Sequence, residues 1–135
     1  MPVVLPAASE QAIAQAALAP GPHAVVSADG DGIIRNWNEI AERIFGHSTD
    51  QAIGQTLDLV VPAEERSDHW RNYRRVMATG VLNYQPDHIL DVEGVARDGS
   101  RVRLDVALIP LRDQAGRLVG ITAIMREADR DLPPA

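Results

Sequence analysis

Apolar residues recur along this chain with two periods, and the switches between them mark out its elements. Val102, Leu104, Val106 and Leu108 alternate with Arg101, Arg103, Asp105 and Ala107. A period of two predicts a half-buried strand over 101–111. The pattern returns over 118–126, where Val119, Ile121, Ala123 and Met125 share one side. Arg112-Asp113-Gln114-Ala115-Gly116 turns the chain between them. Residues 83–96 predict a third, less regular strand, which Arg97-Asp98-Gly99-Ser100 joins to the 101–111 strand. Near the start, 23–28 and 32–37 read as two strands around Asp29-Gly30-Asp31-Gly32, a strong hairpin signal.

Between hairpin and strands the period changes to that of a helix. Asn38 caps a short helix over 38–46, with Ile40, Ile44 and Phe45 on its buried face and Gly46 as its stop. Residues 48–54 give one further helical turn. The segment 63–80 predicts a longer helix. Pro62 precedes it, Glu64 and Glu65 lie at its positive end, arginines fill its second half, and Gly80 ends it. His69, Tyr73, Val76 and Met77 share its inward stripe. An alanine-rich helix over 8–19, capped by Ser9 and striped by Ile13 and Ala17, must dock on the core or on a second subunit.

This order predicts an α+β fold: a five-stranded antiparallel sheet with short helices on one face, plus an N-terminal helix. A ligand pocket is expected between helix and sheet. The chain of 135 residues divides into an N-terminal helical extension (1–21), one domain (22–127) and a C-terminal tail or linker (128–135).

Composition removes several chemistries. Cysteine is absent, and with it disulfides, thiolate sites and cysteinyl-flavin photochemistry. All 13 basic residues are arginine, so no lysine offers a Schiff base or a P-loop. The net charge of -6 argues against nucleic-acid binding. No segment is apolar for long enough to span a membrane and no signal peptide is seen, so a cytoplasmic protein is expected. No catalytic constellation is evident, and the chain is not expected to be an enzyme.

Residues 29–38 (Asp-Gly-Asp-Gly-Ile-Ile-Arg-Asn-Trp-Asn), Ala41-Glu42-Arg43-Ile44-Phe45-Gly46, Gly54, Pro62, Arg97-Asp98-Gly99 and Pro110-Leu111-Arg112-Asp113 with Gly116 and Gly120 together resemble the PAS domain. The resemblance implies a sensor or interaction module that passes a signal to an output domain or partner. Segment 63–80 further resembles the matching helix of haem-binding PAS domains, both oxygen-sensing nitrogen-fixation kinases and carbon monoxide-responsive regulators. In those a helix histidine holds the iron from the proximal side, and His69 occupies its place. Asp87-His88-Ile89-Leu90 resembles a stretch whose histidine contacts a haem propionate, which makes His88 a second candidate. Arg66 and Arg71 are further propionate partners, because guanidinium forks match carboxylates. Tyr73 and Met77 complete the helix side.

The strand that carries an oxygen-binding arginine in the oxygen sensors has none here over 89–96. The implied distal pocket is therefore apolar, formed by Leu90, Val92, Leu104, Ile121 and Ala123, and suits carbon monoxide or nitric oxide better than oxygen. The first reading is thus a b-type haem sensor with His69 as iron ligand, detecting a diatomic gas (CO, NO or O2) or redox state. Met125 could reach the distal side. The alternative is a haem-free module for homodimerisation and signal relay, with helix 8–19 across a two-fold interface, or one holding flavin or a small metabolite. Trp70 is expected on the outer helix face or at a dimer contact.

Overall fold

A computed structural model describes residues 13–15, 18, 21–83, 85 and 87–128. The elements follow the predicted order. Strands β1 (Ala24–Asp29) and β2 (Ile34–Trp37) form the hairpin. Helices α1 (Glu39–Phe45), α2 (Thr49–Ala52) and α3 (Arg66–Thr79) follow, with single 3-10 turns at Leu57–Leu59 and Ala63–Glu65. Strands β3 (Leu90–Val95), β4 (Arg101–Arg112) and β5 (Leu118–Glu127) close the domain. The five strands make one antiparallel sheet in the order β2-β1-β5-β4-β3. No helix among the described residues is long and apolar enough to cross a membrane.

Local chemistry sets the boundaries. The Asn38 side chain accepts from the Ala41 amide at 3.0 Å and donates to the His23 carbonyl at 2.9 Å, so one residue caps α1 and ties it to the start of β1. Ser48 and Gln51 form a reciprocal capping box on α2. Gly46 and Gly80 end α1 and α3. The third predicted strand is shorter than its pattern implied. Pairing with β4 starts at Leu90, opposite Val106, and residues 81–83 and 87–89 lie outside the ladder. The turn closed by the His88 amide on the Gln85 carbonyl, 2.9 Å, stands where strand was expected.

The sheet is buried on both faces over its central strands. On the helix side Val26, Ile34, Trp37, Phe45, Leu104 and Val106 form the main core. On the opposite face Ala107, Ile109 and Ile124 pack beneath Ala14 and Leu18. Residues 13–15 are helical and the Leu18 amide reaches the Ala14 carbonyl at 3.2 Å. The described part of the predicted 8–19 helix thus docks on the chain's own sheet through Ala14 and Leu18, while Ile13 of the predicted stripe is exposed. The rest of that helix, Ala17 included, and the predicted tail from 129 lie outside the described residues.

Candidate functional site

Helix α3 crosses the sheet and leaves a cavity of about 590 Å3 between them. That is within the range of about 300–1,000 Å3 usual for small-molecule sites. Alternation along the strands builds its floor: Val26 and Ala28 from β1, Leu104, Val106 and Leu108 from β4, and Ile121, Ala123 and Met125 from β5. Leu90 and Val92 of β3 close one side. The roof comes from α3, which presents His69, Tyr73 and Val76, with Leu57, Val60, Val61 and Pro62 beside them. Polar side chains gather along the helix and its approaches: Glu65, Asp68, Asn72, Arg75 and Asn83.

His69 stands in an aromatic cluster. Its ring lies 4.9 Å from that of Trp70 at 74° and 5.8 Å from that of Tyr73 at 38°. Its Nδ1 is buried and has no hydrogen-bond partner, alone in this among the buried side-chain nitrogens and oxygens of the described residues. A buried polar atom left unpaired costs about 1–3 kcal/mol. Burial pushes the His69 imidazole below its usual pKa, and the Asp58 carboxylate offsets this only in part. His69 is accordingly neutral at pH 7, the form that offers a lone pair to a metal. Burial pushes the Tyr73 hydroxyl up, and Asp29 and Asp31 act in the same direction. It remains protonated and donates to the Asp29 carbonyl at 2.6 Å.

Seven of the predicted site residues line this one cavity: His69, Tyr73, Leu90, Val92, Leu104, Ile121 and Ala123. Arg66, Met77 and His88 do not. Arg66 turns back to donate to the Val61 carbonyl at 3.1 Å and the Asp58 carbonyl at 3.2 Å. The Met77 sulfur lies toward Gly30 in the hairpin turn. His88 is exposed ahead of β3. Arg71 is exposed and pairs with Asp68 at 3.2 Å. Trp70, expected on the outer face, instead packs on Gly32 and donates from Nε1 to the Asp58 carboxylate at 2.7 Å.

Asn72 and Arg75, hydrogen-bonded to each other, reach the cavity though the sequence did not single them out. The signal was there. Tyr73 and Val76 are the buried residues of the helix, and Asn72, three residues on from His69, and Arg75 lie exposed at the cavity's edge, beside that stripe.

A single neutral histidine on an aliphatic cavity fits a cofactor that brings most of its own ligands. Among the described residues no three His, Cys, Asp or Glu side chains are grouped to hold a bare metal ion. Haem asks one axial ligand of the protein, and guanidinium suits its carboxylates. The residues present fit it: His69, whose ring lines the cavity, for iron, the aliphatic walls for the porphyrin, Arg75 at the cavity's edge for a propionate.

Comparison with known proteins agrees with this architecture. The family model described as PAS fold matches residues 18–130. Sensor protein FixL of Bradyrhizobium diazoefficiens is 33% identical over a 91-residue alignment that covers 64% of this chain and 17% of that protein. An uncharacterized protein of Azorhizobium caulinodans is 36% identical over 78 residues, 57% of this chain and 10% of that protein. The chain thus spans less than a fifth of either relative. Among solved structures, the PAS domain of a Colwellia psychrerythraea protein superposes with a TM-score of 0.66 at 21% identity, covering 78% of this chain and 86% of that one. The PAS domain of the Cronobacter turicensis RpfR quorum-sensing receptor in complex with BDSF gives a TM-score of 0.57 at 17% identity, covering 83% and 99%. At such identities these two speak for the fold alone.

Proposed function

We propose that this chain, which belongs to the PAS fold family, is a cytoplasmic sensory module that holds b-type haem between α3 and the sheet and reports a diatomic gas or the iron's redox state. The observation that carries this reading is the His69 ring, neutral and lining an aliphatic cavity. The resemblance of segment 63–80 to haem-binding PAS helices supports it. When bound, haem supplies an iron centre that takes a diatomic ligand and changes oxidation state.

The chain's residues have separable tasks. His69 holds the iron from the helix side, and Trp70 and Tyr73 fix its ring by edge and tilted contacts. Arg75 holds a propionate, and Asn72 orients the guanidinium. The floor of Leu104, Ile121, Ala123 and Met125 excludes water and offers no hydrogen-bond donor. Such a floor would suit carbon monoxide or nitric oxide better than a ligand that needs a hydrogen-bond donor. The module turns over no substrate. Its output lies in another domain or partner, reached through a shift of α3 and the sheet or through a homodimer.

A second reading rests on the same aliphatic walls and Arg75: a small apolar metabolite with a carboxylate head, in place of haem. Haem titration of the purified protein separates the two. A saturable Soret band supports the first. Its absence, with an extractable organic acid in the native protein, supports the second.

A further inference from the structure

Helix α3 meets the β1–β2 turn as well as the cavity. Trp70, Tyr73 and Met77, spaced i, i+3, i+7, lie toward Gly32, Asp29 and Gly30 in turn, Tyr73 by a hydrogen bond. Only Tyr73 belongs to both sets, since it also lines the cavity beside His69. Its hydroxyl reaches a backbone carbonyl 44 residues away in sequence. That carbonyl already accepts the Gly32 amide at 2.9 Å, the bond that closes the turn. The Asp29 carboxylate holds the rest of the turn, accepting from the Asp31 and Ile33 amides at 3.0 Å each and from Arg35 Nε at 2.8 Å.

We infer that Tyr73 is a positioning residue that couples the state of His69 to the β1–β2 turn, residues 29–33, through its bond to the Asp29 carbonyl. The inference rests on the proposed binding of haem at His69. A ligand that draws His69 toward the cavity moves α3, and Tyr73, one turn along and in ring contact with His69, moves with it. Leaving Asp29 would strand a buried hydroxyl, so the turn follows the helix. The Gly32 amide shares the same acceptor, and its bond lengthens or shortens as Tyr73 shifts. The hairpin edge, far in sequence from His69, thereby becomes the part of the surface that changes with the ligand.

The test is amide hydrogen exchange at Asp31, Gly32 and Ile33 in the full chain, without haem and with ferrous haem-carbon monoxide. Wild type and Tyr73→Phe are loaded to the same Soret absorbance. The inference expects exchange at Gly32 and Ile33 to change several-fold on loading in wild type, and the change to vanish in Tyr73→Phe. Turn amides in wild type that ignore a bound haem overturn it, with no variant needed. So does a Tyr73→Phe protein whose turn exchanges faster in both forms but still responds as wild type does, since that is a structural role only. A missing Soret band in wild type is a different failure: it sinks the haem reading and this inference with it.

Discussion

The indole of Trp70 lies over Gly32 so closely that a Cβ placed there would stand 2.3 Å from two ring carbons. Gly32 also has φ of 77°, which other residues rarely adopt. Turn and helix are therefore fitted to each other through the absence of a side chain. Gly32→Ala should destabilise the domain by about 2–5 kcal/mol, strain and overpacking together. Denaturant unfolding checks this, and a loss of under about 0.5 kcal/mol, the range of neutral surface substitutions, would refute the contact.

Ser27 and Thr122 face each other across β1 and β5 on the face away from the cavity, hydroxyl to hydroxyl at 2.8 Å, both almost fully buried. Thr122→Val strands the Ser27 hydroxyl and should cost about 1–3 kcal/mol. Adding Ser27→Ala should restore part of the loss, because no unpaired group then remains. A double-mutant cycle with no coupling would show that the pair is not formed.

The depressed pKa of His69 predicts a pH dependence. The unfolded imidazole titrates near 6.5, and the folded one below it. Between these values the unfolded state binds more protons, so stability is full above pH 6.5 and falls as pH drops through that window. His47 is shifted the same way, by burial and by Arg97, so wild type alone does not isolate the effect. Unfolding at pH 7.5 and 5.5 should show a smaller acid loss in His69→Gln than in wild type. Equal losses would mean that His69 is not buried as described.

Arg75 is the arginine that lines the cavity, whereas Arg66 is committed to Val61 and Asp58. Arg75 is exposed and an exposed ion pair is worth about 0.2–1 kcal/mol, so Arg75→Ala should weaken haem uptake by up to about fivefold, and Arg66→Ala less. The reverse order in a haem titration would move the propionate site to Arg66.

The sequence was most legible where one residue does one local job. Asn38 and Ser48 begin helices and Gly46 and Gly80 end them by their own chemistry, and the alternation of β4 put Leu104 and Val106 inward without help from the rest of the fold. It was less legible where tertiary contacts choose between neighbours. Tyr73 and Met77 both suit an inward stripe, but the hairpin turn takes up Met77 and leaves Asn72 and Arg75 at the cavity. Trp70 looked like a surface residue because nothing local reveals that Gly32 leaves room for its ring. The start of β3 was overestimated: residues 83–88 are mostly polar and include a proline, which cannot donate to a ladder, and pairing with β4 begins only at Leu90 opposite Val106.

The most direct test of the central claim is the absorption spectrum of the haem-supplied protein beside His69→Ala, each oxidised, reduced and with carbon monoxide. The account predicts a sharp Soret band in wild type that shifts on reduction and again on carbon monoxide. In His69→Ala that band should be lost or displaced, and added imidazole should return it toward the wild-type position. A wild-type spectrum without a Soret band, or one that His69→Ala leaves unchanged, would contradict the assignment of His69 to the iron.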